Sequence, residues 1–375
     1  MAEPIYRHFG LDNVINAAGK MTALGGTAQS DAVARAQADA ARSHVDIETL
    51  RRRAGELVAH YTGAEAASIT SGAAAGIAIA VAACITGTQL DRVLRVPDTD
   101  GLRRRVVLQA GHDINFGASV RQMIQLGGGR PEIIGWANSV PKALLDDTLK
   151  SHDDVVAVLF VQSHHSVQEQ MISLEECIAA ARRRSIPVIV DAAAEEDLRR
   201  YVALGADLVT YSGGKAIGGP TVGFIAGHKA LIDACELQQR GIARAMKVGK
   251  EQIAGLLVAL ERYTTRDAAA DHARQNALVS DMVQRLTGIA RLRTYRKPDE
   301  AGRGIERLAL ERADGGDIRE LVRYLAGGSP SIRTRNHHLD DGVALVDPRE
   351  IDAAQAQVIT DRVRAFFEST STESK

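Results

Sequence analysis

The residue whose type and surroundings first suggest chemistry is a lysine in a glycine-dense loop. The stretch Ala206-Asp-Leu-Val-Thr-Tyr-Ser-Gly-Gly-Lys-Ala-Ile-Gly-Gly-Pro-Thr-Val-Gly-Phe-Ile-Ala-Gly227 sets Lys215, the only cation of the loop, between β-rich runs at 208–211 and 222–226. Its glycines and Pro220 open backbone conformations closed to other residues, and Ser212 adds a hydroxyl beside exposed amides. Such a loop can hold an anion and an amine together. A nucleotide-phosphate loop is excluded, because that motif needs Ser or Thr after Gly-Lys and a glycine five residues earlier, where Ala216 and Thr210 stand. Taken alone, the stretch reads first as a turn with a solvated lysine.

Three further features favour a Schiff-base lysine that holds pyridoxal phosphate (PLP), which needs an acid-bearing strand, an anion cradle and a ring-stacking group. Asp191 ends the apolar run Pro187-Val-Ile-Val. A carboxylate placed there is poorly solvated and needs a cation such as a protonated pyridine nitrogen, unless it caps a helix near Glu195. Ala193, two residues on, leaves room for a flat ring. His112 follows Val106-Val-Leu-Gln-Ala-Gly and can stack on that ring or serve as a hydrogen-bonded loop residue. Thr70-Ser71-Gly72-Ala73 opens a helix of small residues, and free amides at such a start beside two hydroxyls make an anion site. Ser163 and His164 are further polar residues just past a strand end.

The elements that position these residues alternate. Strand runs at 106–109, 132–136, 155–161, 187–191 and 208–211 are separated by helical runs at 116–125, 141–151, 174–185 and 198–204. Continuous apolar strands in alternation with helices predict a mostly parallel central sheet covered by helices on both faces, with ligands beyond the carboxyl ends of the strands. The segment around Val14 reads as an extended arm, followed by helices at 30–43 and 47–61. From about Cys235 the pattern changes to a basic stripe of Arg240, Arg244 and Lys247 on one helical face, a helix at 251–263, and then strands and helices of a smaller α+β unit. The division expected is an N-terminal arm and helix (1–50) packing with the small domain, a large cofactor domain (51–245), a small C-terminal domain (246–370) and a disordered tail (371–375).

With 45% apolar residues, 25% charged residues and a net charge of −1, the composition is that of a globular protein with no general pull toward nucleic acid or membrane. The longest apolar run, 72–86, is too short to span a bilayer and the N-terminus has no signal core, which predicts a cytoplasmic protein. Cys84, Cys177 and Cys235 lack metal spacing and read as reduced, buried thiols. The pairs His164-His165 and His337-His338 do not aim at one ion, so no metal is expected.

With the helix start, His112, Asp191, Ser212 and Lys215 in that chain order, the sequence resembles fold-type I PLP-dependent enzymes. More narrowly it resembles the family of selenocysteine synthase (seryl-tRNA selenium transferase) and D-glucosaminate-6-phosphate ammonia-lyase. The resemblance rests on Val14-Ile-Asn-Ala-Ala-Gly, Leu24-Gly-Gly, Thr62-Gly-Ala-Glu-Ala-Ala, Thr70-Ser-Gly-Ala-Ala-Ala, Gly111-His112, Val190-Asp-Ala-Ala, Ser212-Gly-Gly-Lys-Ala-Ile-Gly-Gly-Pro and Arg244-Ala-Met-Lys-Val-Gly-Lys-Glu251, over roughly residues 10–255.

The resemblance implies that Lys215 binds the cofactor covalently, Asp191 keeps its pyridine nitrogen protonated and His112 stacks on its ring. Ser71, Gly72, Ala73 and Ser212 would hold the phosphate, with Ser163 and Ala193 lining the same site. The Val14 segment begins too early for the tRNA-binding N-terminal domain of selenocysteine synthase, which points to a small hydroxy-amino acid or amino sugar acid rather than to tRNA. The implied reaction is loss of a Cβ hydroxyl followed by release of a 2-oxo acid and ammonia. Racemisation, aldol cleavage, transamination and selenium-transferase-like replacement use the same apparatus, and a non-catalytic PLP-binding regulator would keep the pocket. The resemblance also implies a homodimer or larger homo-oligomer. In Ser331-Ile-Arg-Thr-Arg-Asn, strand alternation puts Arg333 and Arg335 on one face, where either could grip a substrate carboxylate. The alternative is a solvated edge strand carrying charge. Arg244 and Lys247 are candidates for a more distant anionic group such as a phosphate, unless their stripe is simply solvated.

Overall fold

The computed structural model describes residues 5–163, 165–299 and 304–369, so His164 and the expected disordered tail, 371–375, lie outside the described residues. The strands are β1 (Val14–Ala17), β2 (Ala66–Thr70), β3 (Arg105–Gln109), β4 (Arg130–Ile134), β5 (Val155–Val161), β6 (Val188–Asp191), β7 (Leu208–Ser212), β8 (Gly223–Gly227), β9 (Leu292–Pro298), β10 (Glu306–Arg312), β11 (Ser331–Thr334) and β12 (Val343–Val346). Contacts divide the chain into one unit of residues 29–265 and another of residues 1–28 with 266–375. The sequence boundaries stood instead at 50/51 and 245/246. The helix Asp31–Ala41 packs against the helix Lys250–Thr265, and its buried Val33 joins the same core as Ile253 and Leu256 in the 29–265 unit.

That unit is built on a seven-stranded sheet of order β2-β8-β7-β6-β5-β3-β4. Every pairing is parallel except the two made by β8. The buried, β-branched runs of β3, β5 and β6 explain the parallel core, since a strand covered on both faces must be apolar throughout. Local signals fix the helices around it. Asp46 accepts the Thr49 N–H at the start of the helix Ile47–Thr62, and Gly63 ends that helix at φ 71°. Ser173 and Glu176 form a reciprocal cap on the helix Leu174–Arg182. The helix Ala73–Thr86 is buried almost all round, which its small side chains permit. A Cβ at Gly76 would lie 3.1 Å from Thr210 Cγ2, so glycine is what lets this helix lie close on β7.

The other unit has a three-stranded antiparallel sheet, β12-β10-β9, and the parallel pair β1–β11. The Val14 segment is therefore a strand and not an arm: Ile15 and Ala17 are buried, in register with Ile332 and Thr334. Its partner lies too far along the chain for local pattern to reveal the pairing. The helices Lys229–Leu237, Ala268–Leu286 and Ile318–Ala326, which the sequence analysis did not single out, complete the two units. Among the described residues, no helix is long and apolar enough to cross a membrane, and no group of metal-ligating side chains is clustered.

Candidate active site

Because β2, β7, β6, β5 and β3 all point the same way, their carboxyl ends lie along one edge of the sheet. Chain order and register bring Ser71, Gly72, Ala73, His112, Ser163, Asp191, Ala193, Ser212 and Lys215 to that edge.

The anion cradle is made by the turn from β2 into the helix Ala73–Thr86. Gly72 sits at φ 151°, ψ 170°, a conformation open essentially to glycine alone. Thr70 Oγ1 donates to Gly72 O at 2.9 Å and fixes the turn. Gly223 pairs with Thr70 on one side and with Ser212 on the other. The Ser212 hydroxyl and the free amides at the helix start therefore stand at strand ends that flank the first residue of β8.

The lysine loop is packed rather than solvated. Gly213 N–H donates to Val222 O and Gly219 N–H to Gly213 O, each at 2.7 Å, closing the loop on itself. A Cβ at Gly213 would lie 3.1 Å from Leu256 Cδ1 and one at Gly219 3.2 Å from Ala259 Cβ, so both glycines serve close packing against the helix Lys250–Thr265. Lys215 is half-buried, and its charge acts on Asp191.

Asp191 is buried at the end of β6. Its Oδ1 accepts the Ala193 N–H at 3.1 Å and the Thr210 hydroxyl at 3.5 Å. Burial raises its pKa above the ordinary carboxylate value, and the Lys215 charge works against that rise. The expected alternative, a cap on a helix near Glu195, is not what forms, since the next helix begins at Arg200. Thr210 is a partner that sequence reading missed. It stands two residues before Ser212 on β7, so strand alternation was the signal that could have found it.

His112 is fully buried. Its Nδ1 accepts the Val161 N–H at 3.2 Å and its ring meets Phe160 edge-on at 4.5 Å. Burial lowers its pKa to about 4, with the Gln168 side chain acting in the opposite direction, so the ring is neutral at physiological pH. Ser163 Oγ accepts the His165 N–H at 3.2 Å and thus shapes the turn after β5.

The arrangement fits PLP. A buried carboxylate near a cation, a glycine-only turn at a helix start, a half-buried lysine and the small Ala193 are the features that this cofactor's pyridine nitrogen, phosphate, aldehyde and ring require. Three thiols lie apart from this chemistry: burial pushes Cys84 and Cys177 up to about 12, and Cys235 well above its ordinary value.

The other predicted residues fall into two groups. Arg240, Arg244 and Lys247 do not share a helical face, because Gly241 breaks the segment into two short 3-10 turns and Lys247 is extended. They converge instead on a cleft of about 1060 Å³ lined by the helices Ile47–Thr62 and Lys229–Leu237, and no residue of the Lys215 cluster lines it. Arg333 and Arg335 belong to the other unit, and the alternation expected to give them one face does not hold. Arg333 is exposed on β11, whereas Arg335 is buried past its end and bridges to Leu345.

Comparison with known proteins agrees with this geometry. Residues 163–312 match the family model of SelA, L-seryl-tRNA selenium transferase. The chain is 42% identical to the D-glucosaminate-6-phosphate ammonia lyase of Salmonella typhimurium, over 98% of its own length and 99% of that protein. A solved structure of D-glucosaminate-6-phosphate ammonia-lyase superposes with a TM-score of 0.91, at 42% identity, over 99% of this chain and 100% of that one. The chain is also 42% identical to a 5'-C-glycyluridine monooxygenase-decarboxylase of a Streptomyces species, covering 96% of this chain and 92% of that one. A serine palmitoyltransferase from S. paucimobilis with bound PLP shares the fold alone, with a TM-score of 0.58 at 15% identity over 95% of this chain and 88% of that one.

Proposed function

This chain belongs to the family of D-glucosaminate-6-phosphate ammonia lyase and the L-seryl-tRNA selenium transferases, and from that premise we propose that it eliminates water and ammonia from a small hydroxy-amino acid or amino sugar acid. It is a fold-type I enzyme that uses PLP. The observation that carries the reading is the pairing of a half-buried Lys215 with a buried Asp191 on which its charge acts.

In this reading the Ser71, Gly72 and Ala73 backbone and the Ser212 hydroxyl would hold the cofactor phosphate, Lys215 would bind the cofactor covalently, and Asp191 would pair with its pyridine nitrogen. His112 and Ala193 bound the ring, and Ser163 shapes the same edge. PLP, when bound, supplies a sink for the charge left on the substrate Cα. Lys215 would serve as the base that takes the substrate Cα proton and as the group that passes it to the departing Cβ hydroxyl. Asp191, held by Ala193 and Thr210, would supply the counter-charge for the ring nitrogen. Hydrolysis of the released enamine yields the 2-oxo acid and ammonia. Arg333 or Arg335 is the proposed carboxylate ligand, with Arg244 and Lys247 available for a more distant phosphate. A cytoplasmic homodimer or larger homo-oligomer belongs to the same proposal and is supported by the family alone.

A second reading is favoured by the equal identity to the monooxygenase-decarboxylase. A panel of hydroxy-amino acids that includes D-glucosaminate 6-phosphate separates the two. Ammonia and 2-oxo acid released without oxygen uptake support the lyase. Carbon dioxide release that requires oxygen replaces it with the second reading.

A further inference from the structure

Just past Asp191 the chain turns and brings a second carboxylate, Glu195, to the same strand end. Asp191 Oδ1 accepts the Ala193 N–H at 3.1 Å, and Ala192 O accepts the Glu195 N–H at 3.0 Å, so two successive turns fold residues 191–195. The neighbouring strand β7 pins them: Ala192 N–H donates to Thr210 O at 3.0 Å and Ser212 N–H to Ala193 O at 3.2 Å. Three buried tyrosines then hold the next stretch. Tyr263 donates to Glu196 O at 2.6 Å and Tyr211 to Asp197 O at 3.1 Å. Tyr201 donates instead to the Glu195 side chain, at Oε2 and 2.7 Å. A backbone carbonyl is supplied by any residue, whereas the Tyr201 bond selects a side-chain oxygen at 195.

Glu195 is half-buried, and its charge acts on Asp191. Burial and the Glu195 charge both oppose ionisation of Asp191, while Lys215 favours it. The other basic residues of the segment are turned to solvent: Arg199 is exposed and donates to Tyr61 O and His60 O, and Arg200 is exposed over the Tyr201 ring. Burial, and after it Glu195, raises the pKa of the Tyr201 phenol, which makes Tyr201 the donor of their bond. A second carboxylate beside a buried aspartate is unfavourable in the protein by itself. It becomes favourable when a further cation binds at Asp191, and a protonated pyridine nitrogen is such a cation.

We propose that Glu195 is a positioning residue for the cofactor: held by Tyr201, its carboxylate adds a second negative charge at the end of β6 and strengthens the hold of Asp191 on the proton of the ring nitrogen. The proposal rests on the functional reading above. It gives the Glu195 side chain an electrostatic role through Asp191, distinct from that of a hydrogen-bond acceptor that only keeps the loop in place.

Two substitutions separate the charge from the hydrogen bond. Glu195→Gln removes the charge and keeps an oxygen for Tyr201, and Tyr201→Phe removes the bond and keeps the charge. Each cofactor-free protein is titrated with PLP whose ring nitrogen is ¹⁵N, and the nitrogen resonance of the bound form is recorded at one pH. In Glu195→Gln the resonance is expected to move from the protonated toward the neutral pyridine value, with PLP bound about tenfold more weakly. Tyr201→Phe is expected to keep the wild-type resonance and to bind within about threefold of wild type. The resonance decides. A wild-type resonance in Glu195→Gln overturns the proposal even if affinity falls, since loop damage alone would account for that fall. An equal displacement in Tyr201→Phe overturns it too, by making the bond and not the charge responsible, and so does a wild-type nitrogen that carries no proton. Should Glu195→Gln fail to fold, the double variant Glu195→Leu with Tyr201→Phe, which leaves neither partner unpaired, takes its place under the same criteria. Wild-type protein that binds no PLP would refute the functional reading instead.

Discussion

Gly223 and Gly72 touch backbone to backbone: a Cβ at 223 would stand 2.7 Å from the Gly72 carbonyl carbon and 2.8 Å from its Cα, with Tyr211 O at 2.5 Å. None of these atoms belongs to a flexible side chain, so the turn itself would have to move. Gly223→Ala is therefore expected to push the Ser71–Ala73 turn away from Ser212 and to weaken PLP binding at least about tenfold. Titration of the cofactor-free protein measures this, and wild-type affinity would show that the cofactor phosphate sits elsewhere.

Lys215 is expected to carry the cofactor. The wild-type protein should absorb in the visible, and borohydride should fix the label on the peptide containing Lys215. Lys215→Ala should lose both signals. A visible band that persists in the variant, with the label on another peptide, would remove the assignment.

Asp191→Asn is expected to keep bound PLP and lose most turnover, since an amide cannot hold the ring nitrogen's positive charge. The loss should be several powers of ten, roughly 4 kcal/mol or more in barrier. Near-normal kcat in the variant would leave Asp191 as no more than a hydrogen-bond partner for Ala193.

The different settings of Arg333 and Arg335 give different expectations. Arg335→Ala removes a buried side chain, so the variant should melt lower than wild type. Arg333→Ala removes an exposed one and should leave the melting temperature unchanged. If Arg333 binds the substrate carboxylate, its loss should lower kcat/KM by roughly 2 to 4 kcal/mol. Unchanged kcat/KM in Arg333→Ala, together with lost turnover in Arg244→Ala, would move the carboxylate site to the basic cleft.

Acid stability should depend on Asp347. Its carboxylate accepts from Arg349 Nη2 at 2.8 Å and Arg307 Nε at 2.9 Å, and it is fully buried. Burial alone would raise its pKa, but Arg349 and then Arg307 outweigh burial and hold it well below the ordinary range. A depressed folded-state pKa contributes stability above the unfolded value, about 3.9 for Asp, and that stability is lost as pH falls toward the folded value. The melting-temperature gap between wild type and Asp347→Asn should thus be constant from pH 8 to 5 and shrink below about pH 4. Removing one partner of such a buried pair should cost about 3–5 kcal/mol at neutral pH. A gap that closes between pH 8 and 6 would contradict the assignment.

Part of this protein could be read along the chain because the signals are local. The apolar run of β5 forms a strand over the predicted residues, 155–161, since burial on both faces leaves no alternation to misread. The start of the helix after Gly72, the glycine loop around Lys215 and the acid at the end of an apolar strand are likewise short-range patterns. The parallel sheet then carries Asp191, Ser212 and His112 to one edge, because strands that run the same way end on the same side.

Tertiary structure decided what depends on distant partners. The Val14 segment became a strand only because β11 pairs with it. The basic stripe dissolved because Gly241 interrupts the helix, and its three side chains were gathered again by the walls of a cleft. Arg335 parted from Arg333 because it leaves the β1–β11 pair to bridge Leu345. The Thr210 hydroxyl near Asp191, the Gly223 backbone under Gly72 and the Val161 amide that donates to the His112 ring are all cross-strand contacts. No window of sequence contains both partners of such a contact, and register alone determines which atoms meet.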